Sequence, residues 1–319
     1  MKDADFFQSP QKLAVVDIGS NSVRMNVYDI DLSSGTFSVY DSARSMLGLA
    51  AYSRDGMLSP DGEGKLFAVL REYLARANAI PADGFCAFAT ASLRGLKNAG
   101  KIVDDMRRRL GIDIDIIGGD EEAMLDFEAT LSRFAGTLPR RGTMIDMGGG
   151  STEIVCFEGS RAVHSVSLPI GCLALSKKFV ASPPRVSLIE REKIENYVSG
   201  VLLPYGELSG FAETAYIIGG TARASSRIAS SLSGDEPIRD GSPFSADALF
   251  GSLEKLFSSD DLCEKTVRKC CPDRSATALP GMTALCFILR FLGVQTLITS
   301  TAGVREGFII RKIAGLSKQ

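Results

Sequence analysis

The spacing of apolar positions changes period repeatedly along the chain, and each change marks an element. Residues 12–17 form a β-rich run that stops at DIGSNS, 23–31 resumes as strand, and 36–43 reads as a third strand. Leu66, Val69, Leu70, Tyr73, Leu74 and Ala77 then recur at helical spacing, one face of an amphipathic helix. Residues 85–90 read as strand and break into TASLRGLKNAG; 98–110 reads as helix with Asn98 as its cap, and 112–117 as a short strand. Gly118 and Gly119 turn the chain into a further helix, capped by Asp120, with Met124, Phe127 and Leu131 as its buried stripe.

The second half repeats the pattern. A strand enters the stretch 144–157, MIDMGGGSTEIVCF, bends at the glycines and leaves as strand; 163–168 follows and closes in PIGC. Helices are expected at 173–179 and 187–203, then a strand at 215–218 running into GGTARASSRIA. Helices at 245–257 and 283–292, a buried strand at 295–300 and a last helix at 304–314 complete the chain. The polar segment 137–142, with Pro139, Arg140 and Arg141, is the best domain boundary.

Two stretches share one plan, in which a strand ends in an acid, a glycine-containing turn follows and a second strand leaves. Asp17 heads the first and Asp146 the second, 129 residues later. Three consecutive glycines after Asp146 let the backbone take positive φ and bring N–H groups close to an anion. Asp146 and Glu153 at the lip of such a turn suggest a divalent cation shared with phosphate. In the first turn Ser20, Asn21 and Ser22 supply side-chain donors, although an ordinary hairpin fits that loop equally well when taken alone. Gly220 and Thr221 open a helix after a strand, another anion-friendly terminus. Arg94 lies just past a strand end, where α/β proteins tend to place ligand residues. Glu121 and Glu122 fall in a first helical turn, where acids complement the macrodipole whether or not they do chemistry.

Composition narrows the chemistry. The 319 residues are 45% apolar, enough for a real core, and length suggests two domains. A net charge of -2 gives no basic face in bulk, so no nucleic acid is expected as partner. The basic run Arg107, Arg108 and Arg109 lies in a helical pattern and reads as a solvated face. Seven cysteines without paired C-x-x-C spacing, among them the neighbours Cys270 and Cys271, fit reduced, mostly buried thiols. The start of the chain has no apolar h-region and no membrane span is expected, which points to the cytoplasm. Its single histidine, His164, lies on an alternating strand as a half-exposed position. Ser-His-Asp hydrolysis, phosphohistidine chemistry and histidine-rich metal sites therefore lose their main residue.

The motifs DIGSNSVRM, ATASLR, GGDEEA, DMGGGSTE, SLPIGC, IGGTAR and STAGVREG resemble, in the same order, those of the exopolyphosphatase and guanosine pentaphosphate phosphohydrolase family, from about Leu13 to Ile310. The resemblance implies an α/β fold of two actin-like (ribonuclease H-like, ASKHA) domains with an inter-domain cleft. Domain I would span 1–136, with the C-terminal helix 303–319 packing back on it, and domain II 137–302. The expected form is the short, two-domain one, without the additional C-terminal helical domain of longer members. The histidine-glycine pair that usually follows GGT in the family appears here as Arg239, Asp240 and Gly241, so rim contacts are expected to differ.

By the same resemblance the reaction is hydrolysis of a terminal phosphoanhydride. Inorganic polyphosphate or guanosine pentaphosphate is the substrate and Mg2+ the cofactor; Mn2+ in its place, a monovalent cation and a homodimer are compatible with it. Glu122 matches the catalytic base. Asp146 and Glu153 match the acids of the metal and water site, and Asp17 is counted with them. Asn21 and Ser22 match the first phosphate loop, Gly148, Gly149 and Ser151 the second. Arg94, Cys172 and Arg274 match further phosphate positions, beside Gly220 and Thr221. Two readings compete: a non-catalytic sensor of alarmone or polyphosphate, and an ATP-dependent kinase or ATPase on the same fold. Glu122 weighs against the sensor, since binding alone needs no base.

Overall fold

The computed structural model describes residues 11–234 and 236–316. The leader at 1–10 and the last residues of the expected final helix, 317–319, lie outside them. The chain forms two compact units, Met1–Gly118 with Phe308–Gln319, and Gly119–Gly307.

In the first unit β1 (Gln11–Ile18), β2 (Val23–Asp31) and β3 (Thr36–Ser45) form an antiparallel meander. A small hairpin of β4 (Ser53–Arg54) and β5 (Met57–Leu58) leads to α1 (Pro60–Ala79). Then come β6 (Gly84–Ala89), α2 (Ala91–Arg94), α3 (Ala99–Leu110) and β7 (Ile114–Ile116). The five-stranded sheet runs β3-β2-β1-β6-β7, with β6 parallel to β1 and β7 parallel to β6. The expected stripe of α1 is buried at Leu66, Leu70, Tyr73 and Ala77, and Ser59 caps its start by accepting from Gly62 N–H at 3.2 Å. Asn98 holds the N-cap position of α3 but makes no side-chain cap bond. Its amide is spent on β5, accepting from Leu58 N–H at 3.0 Å and donating to Leu58 O at 2.9 Å. Arg107, Arg108 and Arg109 are exposed, as a solvated face requires.

The second unit opens with α4 (Gly119–Arg133), then β8 (Arg141–Met147), β9 (Thr152–Glu158) and β10 (Arg161–Leu168). It continues with α5 (Cys172–Phe179), α6 (Leu188–Leu202), β11 (Thr214–Ile218), α7 (Gly219–Ser233) and β12 (Pro243–Ser245). The remaining elements of this unit are α8 (Ala246–Ser258), α9 (Asp260–Cys270), α10 (Ala278–Leu292) and β13 (Thr296–Ser300); α11 (Val304–Leu316) starts in it and from Phe308 on belongs to the first unit. The sheet order is β10-β9-β8-β11-β13-β12. Its first five places repeat the first unit strand for strand, an antiparallel meander of three followed by two parallel strands. That order, present twice, is the actin-like topology, and β12 adds an antiparallel edge.

Two expectations shift. The boundary lies at Gly118 and Gly119, ahead of the connector at 137–142, because α4 packs on β8, β9 and β10. Ala123, Phe127 and Phe134 bury there against Met144, Val155, Phe157, Tyr216 and Ile218, with the Phe127 and Phe157 rings 5.3 Å apart. The helix expected at 283–292 starts at Ala278. Pro280 then falls in the first turn, where a missing N–H costs no hydrogen bond. The opposite sheet face, with Ile145, Met147, Ile154, Cys156, Ala215 and Ile217, packs into the main core with residues of α6, α7 and α10.

Candidate active site

The turn between β8 and β9 has four residues, 148–151, closed by Gly148 N–H donating to Ser151 O at 2.9 Å. Gly148 does not have the positive φ expected of it. What shapes the turn is the packing around it. Gly148 O accepts from Cys172 N–H at 3.0 Å, and Gly149 O from Leu173 and Ala174 N–H at 3.0 and 3.1 Å. The first donors of α5 therefore fix the loop's carbonyls, and Gly171 lies so near the Gly149–Gly150 peptide that any side chain there would collide with it. Cys172, expected to bind phosphate, stands behind this loop. Its N–H is given to Gly148 O, its side chain is 1% exposed, and it packs near Gly281, so it buttresses the turn.

Asp146 and Glu153 are directly paired across β8 and β9, so their side chains share one face. Glu153 is 1% exposed and accepts from Ser167 Oγ at 2.7 Å, from the next strand, β10. Asp146 pairs on its other side with Ile218, and its Oδ1 lies against the α-carbon of Gly219. Gly219 (φ +87°) and Gly220 open α7, and the guanidinium of Arg274 lies over Gly220. Arg274, in the turn Pro272–Arg274, is only 9% exposed. Asp146, Gly219, Gly220 and Arg274 thus meet at one helix N-terminus. Thr221 is buried beside them, and among the described residues its hydroxyl has no hydrogen-bond partner.

Strand alternation places Glu122 relative to this pair. Met144, Val155, Phe157, Tyr216 and Ile218 face α4, and with a period of two Asp146 and Glu153 lie on that same face. The second turn of α4 is level with the end of β11, since a methyl group at Gly303 would lie 3.4 Å from both Asp126 Oδ1 and Ile218 Cγ2. Glu122 comes one turn earlier, 9% exposed, toward the strand ends that carry Asp146 and Glu153.

The donor set fits a divalent ion. Asp146 and Glu153, side by side and the latter fully buried, offer carboxylate oxygens of the kind a hard divalent cation takes. Among the described residues no three His, Cys, Asp or Glu side chains close on one point. Asp146 and Glu153 could therefore hold Mg2+ only together with water and substrate oxygens, its common mode of binding.

The first unit carries a matching turn of four residues, 19–22, closed by Gly19 N–H donating to Ser22 O at 3.2 Å. Gly48 and Ala50 N–H fix its carbonyls, donating to Asn21 O at 2.9 Å and Ser20 O at 3.2 Å. Asp17 is paired across the strands with Arg24, which sequence reasoning passed over; its spacing from Asp17 equals that of Glu153 from Asp146. Ser92 Oγ donates to Ile18 O, docking α2 at the end of β1, and Arg94 Nη1 donates to Ile117 O at 3.4 Å. Asp17, Asn21, Ser22 and Arg94 therefore gather at one end of the first sheet. Ser167 and Gly171 were also unforeseen, though both lie in the SLPIGC motif.

A duplicated actin-like fold whose strand–acid–glycine turns and arginines suit anions defines a phosphate-handling protein. Residues 32–315 match the model of the Ppx/GppA phosphatase family, and the chain belongs to that family. Similar solved structures include a Ppx/GppA family member from Aquifex aeolicus, 22% identical, with TM-score 0.78 over 96% of this chain and 98% of that one. An exopolyphosphatase from Cytophaga hutchinsonii is 18% identical, with TM-score 0.84 over 96% and 98%. An exopolyphosphatase-like protein is 20% identical, with TM-score 0.84 over 96% and 99%. Among the described residues no helix is long and apolar enough to cross a membrane.

Proposed function

We propose that this phosphatase releases terminal orthophosphate from inorganic polyphosphate. The observation that supports the reading is that α4, whose first turn carries the buried Glu122, packs on the sheet face that carries the Asp146–Glu153 pair. A phosphoryl group with charge spread over its oxygens needs positioning and neutralisation more than covalent help. The second hairpin and Arg274 supply this for the terminal phosphate, and Asn21, Ser22 and Arg94 of the first unit form a further anion-binding element. Mg2+, held by Asp146 and Glu153 when bound, supplies neutralisation of phosphate oxygens. Glu122 orients a water and accepts its proton as the water oxygen bonds to phosphorus and the bridging oxygen leaves with the shortened chain.

The exopolyphosphatase from Cytophaga hutchinsonii among the similar structures favours polyphosphate as substrate. Guanosine pentaphosphate presents the same terminal phosphoanhydride and is the second substrate to test. Phosphate release from each, with and without Mg2+, checks the proposal. Faster release from polyphosphate is expected, abolished by chelation. Preference for guanosine pentaphosphate would reassign the substrate, ATP turnover above both would favour an ATPase, and no release from any would remove the hydrolase reading.

A further inference from the structure

The two hairpins are one turn with one charge reversed. Each residue of DIGSNSVR has a counterpart 129 positions later, both loops have four residues, and both close through the glycine N–H and the serine carbonyl. At the last position Arg24 stands where the second hairpin has Glu153. Directly paired residues of antiparallel strands share a face with their Cβ atoms about 5 Å apart. Asp17 is thus set beside a guanidinium, whereas Asp146 is set beside a second carboxylate. Arg24 is half-buried, and its Nε donates to Ser22 Oγ at 3.2 Å, which turns the head group toward the loop. An arginine cannot shed its charge in a protein.

We infer that Arg24 is the built-in counter-cation of the first hairpin. It occupies the electrostatic place that a divalent ion takes in the second, so the ion binds at Asp146 and Glu153 alone and Asp17 is not a ligand. Arg24 is a positioning residue that acts through Asp17, and its fixed charge distinguishes two otherwise equivalent turns. The inference rests on the cation reading of the second hairpin, and it replaces the sequence-based expectation that Asp17 shares in holding metal.

Mn2+ binding to the full chain, read by electron paramagnetic resonance in the presence of inorganic phosphate, tests this without any turnover. Wild type and Asp17→Asn should each bind about one Mn2+ per chain, with affinities within about twofold of each other. Glu153→Gln should weaken binding by about tenfold or more. Arg24→Glu, which makes the first hairpin acid–acid, should bind about two Mn2+ per chain. Two ions on wild type, one of them lost in Asp17→Asn, would overturn the inference and leave the second hairpin's ion in place. A folded Arg24→Glu protein that binds only one would also overturn it. If that variant does not fold, the wild type and Asp17→Asn pair decides. Absence of Mn2+ from wild type would overturn both the inference and the cation reading beneath it.

Discussion

In the first unit the loop after β1 is tied down from outside by Gly48 and Ala50, which reach its carbonyls from a neighbouring turn. In the second, the start of α5 does the same for Gly148 and Gly149. The backbones are therefore held alike, and what differs is what they carry. The first loop offers Ser20, Asn21 and Ser22 with an Asp17–Arg24 pair, the second three glycines and Ser151 with an Asp146–Glu153 pair. Strand order and loop length are the same in both, and in the proposed reading the cross-strand residue seven places after the acid decides whether a cation is wanted. A duplicated fold can in this way acquire unequal chemistry by changing one side chain.

The units also differ in how they should meet alkali, where the largest effect is expected. Burial pushes the Cys156, Cys263 and Cys271 thiols up to about 11 and Cys286 to about 12, all in the second unit. Cys86 is the raised thiol of the first. A folded value above the unfolded one means the stability is fully present below the unfolded value of 9.0 and is lost as pH rises through the folded values. Each thiol then costs about 1.4 kcal/mol per pH unit. The second unit should open between pH 9.0 and about 11, ahead of the first. Residue-by-residue alkylation mapped by mass spectrometry checks the order, and earlier labelling of Cys86 would break the contrast.

Next in size is Gly171→Ala. Its methyl group meets backbone of the Gly149–Gly150 peptide, which cannot swing aside, so about 2–3 kcal/mol of stability should go, together with phosphate release. The counterpart support of the first hairpin, Gly48 (φ +61°), has open space around it, and Gly48→Ala should cost only about 1–2 kcal/mol, from left-handed backbone strain. Urea midpoints of the two variants compare the supports directly. Equal midpoints would mean that the second loop is not packed as tightly as described.

Gly220→Ala is expected to act on function more than on stability, because its methyl group meets the flexible end of Arg274. Stability should change by less than about 1 kcal/mol while KM for polyphosphate rises about tenfold, the loss of one charge-assisted contact. An unchanged KM would place Arg274 outside the phosphate site. The smallest contrast lies inside the loops. A methyl at Gly19 would be 3.0 Å from Ser22 O, whereas one at Gly148 would be 3.4 Å from Ser151 O. Gly19→Ala should therefore cost about 1 kcal/mol and Gly148→Ala less than about 0.5 kcal/mol, measured by thermal denaturation.

Much of this was legible in the sequence because the signals were periodic or local. The stripe of α1, the alternation of the strands and the two acid–glycine turns each needed only a short window. The role proposed for Glu122 was less so, since an acid in a first helical turn is equally at home as a dipole partner; only the packing of α4 on the face of Met144, Val155 and Tyr216 relates it to Asp146. Helix α9 was not foreseen: its polar face is strong, but its buried stripe is only Cys263, Thr266 and Val267, with a single strongly apolar side chain to mark it. Gly171 and Arg24 were missed for a common reason. Each acts on a residue brought near by folding, the Gly149–Gly150 peptide in one case and Asp17 in the other, and one-dimensional spacing does not display such pairs until register is known.

In the proposed reaction Glu122, in the second unit, is the base that activates water. Turnover and binding of polyphosphate by Glu122→Gln, measured side by side with wild type, test it most directly. Phosphate release should fall by about 10²–10⁴-fold while polyphosphate is bound with wild-type affinity. Phosphate release by Glu122→Gln at the wild-type rate would contradict it.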